Sequence, residues 1–370
     1  MTDMQLAELT TLRVGGPADR LVEATTDDEL VEAVLEADAA GREWIVLGGG
    51  SNVLVGDEGV PGTVVLVRSR GIERLPDVEG SRRPVRLRVQ AGEPWDELVA
   101  FTVDQGFAGI EALSGVPGST GAAPIQNIGA YGQELAESLV AVEVLDIASG
   151  ERRRVPAPEL QLGYRTSAIK QGWAAIVLSV DLALERVEGA RSRPVAYAQL
   201  ADALGVEIGD RAPLVGVRAA TLALRASKGM VLDENDPDSV SAGSFFTNPI
   251  VSESFARTLP ADAPRWPQQP EPPSLAVPLG AEPASPPPPV ESTVKLSAAW
   301  LIEHSGITRG FALPGSAASV SKKHTLALTN ASGRATAAEI AQLASYIQTR
   351  VMSEFGVVLH PEPVFINQTL

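Results

Sequence analysis

The chain has 370 residues, 44% of them hydrophobic, with no cysteine, three histidines and a formal charge of −16. That length calls for about two or three domains with ordinary cores, and the missing cysteines exclude disulfides and thiolate chemistry. The charge argues against a nucleic-acid or anionic-membrane surface, no apolar run is long enough to span a bilayer, and no His/carboxylate spacing resembles a metal site.

The first residues, MTDMQLAEL, lack the basic start and apolar centre of a secretory leader, so a soluble cytoplasmic monomer is expected. Residues 10–18 (TTLRVGGPA) are turn-rich, and residues 20–24 can form a strand. Thr26 is a good N-cap with Glu29 at the capping-box position. Leu30, Val34 and Ala37 then make a helical stripe that ends at Gly41. Residues 44–47 read as a short buried strand running into GGGSNVL, residues 48–54. A strand followed by GGGSN can hold phosphate through backbone amides, although many tight turns look the same. Residues 64–67 are another strand, and Val85, Leu87 and Val89 alternate as in a half-buried one. Gly92 and Pro94 open a helix that places Trp95, Leu98, Val99, Thr102 and Val103 largely on one face.

The next stretch organises the chain. Residues 114–132, SGVPGSTGAAPIQNIGAYG, hold five glycines, two prolines and almost no charge. Glycine lets backbone N–H groups approach a ligand with no Cβ in the way, and Ser119, Thr120, Gln126 and Asn127 add side-chain hydrogen bonds. Such a segment suits a polyphosphate ligand lying against main chain; an irregular loop buried for packing has the same composition. Residues 140–146 alternate again, residues 163–167 (GYRTS) form a polar turn around Arg165, and residues 176–184 read as a strand.

The second half differs. Residues 197–204 are short and amphipathic, and residues 213–228 are a helix candidate with Val217, Thr221, Leu224 and Lys228 in register. Residues 242–249 (AGSFFTNP) pair a small-residue turn with two phenylalanines and could be a short core strand. Residues 260–290 contain twelve prolines, which is the composition of an extended surface insertion. A helix resumes over 295–305, a strand over 323–329 begins near His324, and Thr336 with Glu339 boxes a long helix that Gly356 ends. Residues 357–366 are the last strand, interrupted at Pro361-Glu362-Pro363.

TTLRVGGPAD, LGGGSNVL, GVPGSTGAAPIQNIGAYG, YRTS, AGSFFTNP, KLSAAWLIEHSG and SKKHTLAL stand in one order over nearly the whole chain. In this the sequence resembles the UDP-N-acetylenolpyruvoylglucosamine reductase family, type I branch. The resemblance implies an α+β fold: a two-subdomain FAD-binding unit of the vanillyl-alcohol-oxidase type, spanning 1–72 and 73–195, plus a smaller α/β substrate domain over 196–370, with the proline-rich insertion at 260–290 and a last strand that can return to the FAD unit. It also implies FAD as cofactor, NADPH as co-substrate, and reduction of the enolpyruvyl ether of UDP-N-acetylglucosamine to UDP-N-acetylmuramate, a peptidoglycan precursor.

The residues follow from the same resemblance. FAD would lie against Gly48, Gly49, Gly50, Ser51, Asn52, Val53 and Leu54 on one side. On the other would be Pro117, Gly118, Ser119, Gly121, Ala122, Ile125, Asn127, Gly129, Ala130 and, from a strand, Ile176. Arg165 and Glu362 match the family's two residues that stabilise an enolate-like dianion, Glu362 as a hydrogen-bond donor. Ser244 occupies the proton-donor position. Tyr131, Tyr197, Arg225, Lys228, Asn248 and His324 fall near the substrate nucleotide. Thr247 stands where a basic residue is common, and HPEPV replaces a more usual EPEV, so one phosphate contact and the register of Glu362 depart from the pattern. Two other classes fit parts of this: an oxidase on the same scaffold, which leaves Ser244 and Glu362 unexplained, and a flavin-free UDP-sugar sensor, which has no need of all three catalytic residues.

Overall fold

The structure, a computed structural model, describes residues 5–268 and 292–370. Strands β1 (Ala18–Ala24), β2 (Trp44–Leu47) and β4 (Val60–Val67) form a parallel three-stranded sheet with β4 in the centre. Helix α1 (Asp27–Ala39) covers one face, packing Leu30 and Val34 into one core with Val65 and Val67 and burying Ala37 as well. Thr26 caps it by accepting from Glu29 N. The reciprocal bond differs from the expected box: the Glu29 carboxylate accepts from Thr25 N at 2.7 Å and Thr25 Oγ1 at 2.8 Å, one residue earlier.

A larger mixed unit follows. Its six-stranded sheet starts at β5 (Ile72–Leu75) and β6 (Val85–Gln90) and continues through Ala175–Arg186, Leu139–Asp146 and Glu151–Pro156, with the two-residue strand Phe107–Ala108 pairing off the end of Ala175–Arg186. The alternation of Val85, Leu87 and Val89 buries all three on one face. Helix α2 (Trp95–Asp104) buries all five residues of its expected face and packs Trp95, Leu98, Val99 and Val103 into the same core.

The C-terminal part is built around the helix Ala337–Phe355, whose stripe Ile340, Leu343, Ala344, Ile347 and Val351 is fully buried. Thr336 and Glu339 form the complete capping box, and Gly356 closes the helix at φ 68°. Asp57 adds a cap from the other end of the chain, its two carboxylate oxygens accepting from Ala337 N and Ala338 N at 2.7 and 3.0 Å. The final strand, Val364–Ile366, pairs in parallel with β3 (Val53–Val55), which follows the first glycine cluster. Last and early segments are thus joined.

Several elements differ from expectation. Lys295 and Leu296 belong to a strand, Thr293–Leu296, and the helix starts only at Ala298 with Ser297 as N-cap. The helix expected over 213–228 is Leu214–Ala226, so Lys228 lies beyond its end. Residues 242–249 form no strand; Phe245 and Phe246 are buried as an irregular segment. Within 323–329 only Leu328–Thr329 is extended, and the last strand shrinks to three residues, because Pro361 and Pro363 cannot donate to a ladder. The start of the proline-rich stretch is not a free surface insertion: Arg265–Gln268 pairs with Thr293–Leu296, and Ala263 is buried. The remainder of that stretch, from 269, lies outside the described residues.

Candidate active site

Glycine decides how the two loops meet. A Cβ on Gly49 would stand 2.6 Å from Gly118 Cα, and one on Gly118, at φ 116°, 2.7 Å from Ser51 Oγ. A Cβ on Gly48 would meet Ser119 Oγ at 2.3 Å. The loops therefore abut main chain to main chain. They are tied by Ser51 Oγ donating to Pro117 O at 3.1 Å, while Trp95 N at the start of α2 donates to Gly118 O at 3.0 Å.

A cavity of about 500 Å³ opens along this seam. Of the residues expected to hold a cofactor, Gly48, Gly49, Gly50, Ser51, Asn52, Val53, Pro117, Gly118, Ala122, Ile125 and Gly129 line it. A second cavity of about 290 Å³ shares Val46, Gly48, Ala122 and Ile125 with it and adds Ser119, Gly121 and Ile176. Its far end is apolar, walled by Trp44, Val67, Ile147 and Trp173. The two make one long trough with a glycine waist, an apolar end and a charged end. That shape fits a dinucleotide with two ring systems and a pyrophosphate between them, since only glycine leaves backbone open at the waist.

The charged end gathers residues from distant parts of the sequence. Arg165, at φ 55°, donates from Nη2 to Gly129 O at 2.5 Å and from Nη1 to Asn127 O at 3.2 Å. Its Nε lies 3.4 Å from Glu362 Oε1. Gln126 Nε2 donates to the same Oε1 at 2.8 Å. Lys170 Nζ donates to Gln126 Oε1 and, at 3.4 Å, to Glu362 O, which also accepts from Asn52 Nδ2. Burial pushes the Lys170 ammonium down; Glu362 works against that shift and Arg165 adds to it. Ser244 reaches the cavity because its segment runs beside the last residues of the chain. Glu362 N donates to Phe245 O at 2.9 Å, Phe246 bridges Pro361, and Thr247 N donates to His360 O. Arg165, Ser244 and Glu362 all line this one cavity. So does Arg225, whose Nε is buried with no hydrogen-bond partner among the described residues.

Other expected site residues lie elsewhere. Leu54 is fully buried in the apolar core with Leu12, Val14 and Phe245. The Asn127 side chain ties its loop to the neighbouring segments: Nδ2 donates to Gly163 O at 2.9 Å and Oδ1 accepts from Ala136 N. Ala130 packs against the core of the six-stranded unit. Asn248 caps the 298–304 helix, accepting from Ala298 N at 3.0 Å. Tyr131 and Tyr197 meet edge to face at 5.6 Å, with Lys228 Nζ 5.5 Å from the Tyr131 ring. Lys228 also donates to Gln199, and its ammonium is pushed down by burial and by Arg225. His324 is held neutral, lowered to about 4 by burial and by Lys228 and Arg309. These residues form a second polar group, reached from the cavity through Arg225, which acts on both Tyr131 and Lys228. Sequence reasoning missed Lys170, Trp95 and Met230 as cavity residues. Lys170 follows Arg165 by five residues, and the Ser167 hydroxyl accepting from Lys170 N sets its turn. That turn chemistry was the one available signal.

Comparison with known proteins agrees with this geometry. Residues 18–156 match the family described as FAD binding domain, and residues 236–366 match "UDP-N-acetylenolpyruvoylglucosamine reductase, C-terminal domain". The fold and the glycine-lined trough thus define a flavoprotein with an FAD-binding domain. The chain is 58% identical, over the full length of both, to the UDP-N-acetylenolpyruvoylglucosamine reductase of Leifsonia xyli. It is 50% identical to that of Salinispora arenicola, covering all of this chain and 96% of the relative. The crystal structure of the MurB enzyme from Thermus caldophilus superposes with a TM-score of 0.62 at 25% identity, covering 98% of this chain and 97% of that one. The chain belongs to the UDP-N-acetylenolpyruvoylglucosamine reductase family.

Proposed function

We propose that this chain is an FAD-dependent enzyme that uses NADPH to reduce UDP-N-acetylglucosamine enolpyruvate to UDP-N-acetylmuramate, in the cytoplasm, for cell-wall synthesis. The carrying observation is that Arg165, Ser244 and Glu362 line the same cavity as both glycine loops. Bound FAD supplies a hydride acceptor and donor next to these side chains. When hydride reaches the vinyl carbon of the substrate, negative charge grows on a carbon that already bears a carboxylate. Arg165 meets that charge as a fixed cation, preorganised by two backbone carbonyls. Glu362 completes the other side of the same pocket. Ser244 gives its hydroxyl proton to C2, because an enolate is basic enough to take it.

The second polar group supports a place for the nucleotide: Arg225, Lys228 and the neutral His324 for the diphosphate, and Tyr131 and Tyr197 as a closing pair. Asn248 acts from the helix cap. Leu54, Asn127 and Ala130 position the loops from behind. The same reading divides the chain into 1–72, 73–195 and 196–370, with the first boundary moved ahead of Ile72, where the six-stranded sheet begins. A monomer and the absence of any membrane attachment are parts of it; among the described residues no helix is long and apolar enough to cross a membrane.

The test is an anaerobic titration of the yellow holoprotein. NADPH should bleach the flavin, and the enolpyruvyl sugar nucleotide should restore its colour with one equivalent of UDP-N-acetylmuramate formed. Initial-rate plots at several fixed substrate levels should be parallel, since both substrates use one cavity in turn. Reoxidation by O₂ but not by the enolpyruvyl compound would refute the proposal.

A further inference from the structure

We propose that Lys170, through Gln126, holds the Glu362 carboxyl group in the plane that turns one of its oxygens toward the substrate. This rests on the reading just given and adds two positioning residues to it. The geometry is a short relay. Lys170 Nζ donates to Gln126 Oε1, so that amide must present its Nε2 toward Glu362, where it donates to Oε1 at 2.8 Å. The Arg165 Nε approaches the same Oε1 at 3.4 Å. Two donors therefore occupy Oε1, and Oε2 is the oxygen left for the cavity. Without a bound oxygen the carboxyl group could turn about its Cγ–Cδ bond and take both oxygens out of line with the cavity. The amide removes that freedom because it can donate only from its nitrogen, and the lysine removes the amide's own freedom to flip because an ammonium cannot accept. The second bond of Lys170, to Glu362 O at 3.4 Å, ties the same residue's backbone to the relay. Half-burial of Lys170 favours this role over a solvated surface charge.

The relay bears on substrate reduction and not on flavin reduction, because Glu362 meets the developing enolate and not the nicotinamide. Stopped-flow on holoenzyme separates the two steps. Lys170→Met and Gln126→Leu should each leave the NADPH half-reaction within about twofold and slow reoxidation by the enolpyruvyl substrate about tenfold or more, the scale of one hydrogen bond to a charged group. The double variant should be no slower than the worse single one, since both break the same relay. Lys170→Arg, which keeps a donor and a charge, should recover part of the rate. FAD content and the thermal midpoint are recorded for each variant, and Lys170→Arg serves if Gln126→Leu folds poorly. Equal slowing of both half-reactions, losses that multiply in the double variant, or no loss in Lys170→Met would each overturn the relay. Wild-type holoenzyme that bleaches with NADPH but is not reoxidised by the substrate would instead overturn the reaction proposed for the cavity.

Discussion

Gly49→Ala isolates the close approach of the two loops from every other property of glycine. The backbone at Gly49 is not in the left-handed region, so alanine meets no torsional penalty there. Its new methyl would stand 2.6 Å from Gly118 Cα, 2.9 Å from Gly118 C and 3.2 Å from Ser119 N. All three are backbone atoms, which no rotamer change can move. Restoring ordinary contact at 3.4 Å requires the loops to part by about 0.8 Å. Overpacking of this kind costs about 1–3 kcal/mol, well inside a typical stability of about 5–15 kcal/mol, so the chain should still fold. The displacement falls at the waist of the trough, and FAD affinity should drop by about tenfold or more, a loss of at least about 1.4 kcal/mol. Flavin retained after dialysis and the dissociation constant from fluorescence quenching measure it, with a melting curve of the apoprotein as the control. Gly48→Ala provides the contrast, because its methyl meets the Ser119 side chain, 2.3 Å from Oγ. Adding Ser119→Gly should rescue Gly48→Ala and leave Gly49→Ala unchanged. A Gly49→Ala protein with wild-type FAD affinity would refute the reasoning.

Ser244→Ala removes one hydroxyl from the cavity wall; flavin reduction by NADPH should be unchanged while reoxidation by the enolpyruvyl substrate slows at least ~10²-fold, as for a lost general acid, and equal slowing of both steps would make Ser244 a structural residue. His324 titrates at about 4 in the fold against 6.5 as the ordinary value, so the unfolded chain binds the extra proton first. Its contribution is whole above pH 6.5 and is lost as pH falls toward 4, up to about 3 kcal/mol; urea melts over that range should show the slope, and His324→Gln should flatten it. Gln268 and Thr293 are paired neighbours, so replacing residues 271–290 with a short Gly/Ser turn should leave turnover and melting unchanged, whereas a deletion that also takes Arg265–Gln268 strips an edge strand and should lower the melting temperature.

The sequence carried most of what is local. Caps, stripes and alternation placed α1, α2, β6 and the boxed C-terminal helix, because those signals are short-range and repeat along the element. Lys295 and Leu296, the last two residues of the strand Thr293–Leu296, read as helix because they run into the true helix at Ala298, and the strand's partner comes from a proline-rich stretch that composition alone assigns to solvent. The site was legible where backbone chemistry dictates residue type, as at Gly48, Gly49 and Gly118. It was less so where a side chain's direction depends on tertiary contact. Asn127 sits in the most suggestive loop of the chain, yet its side chain bonds Gly163 O and Ala136 N in neighbouring segments, and nothing local to Lys170 shows that the segment before the last strand brings Glu362 beside it.

Charge placement explains how a chain of net −16 can serve an anionic sugar nucleotide. Arginines that hold the fold together are matched with carboxylates: Arg88 and Arg154 share Asp181, and Arg218 grips Asp96 with both ends of its fork. Cations at the cavity are held differently. Arg165 is anchored by the carbonyls of Asn127 and Gly129, Arg225 by that of Met230, and Lys170 by an amide oxygen. A carbonyl fixes a cation's position without cancelling its charge, so three positive groups face one carboxylate, Glu362. The acidic surface is screened over roughly 8 Å at physiological salt, whereas charges inside the cavity act through a lower effective dielectric. The local excess of positive charge therefore governs binding. Arg225→Met should accordingly weaken the sugar nucleotide far more than the surface change Arg42→Gln, although both remove one positive charge, and equal increases in KM would show that the overall field is what matters.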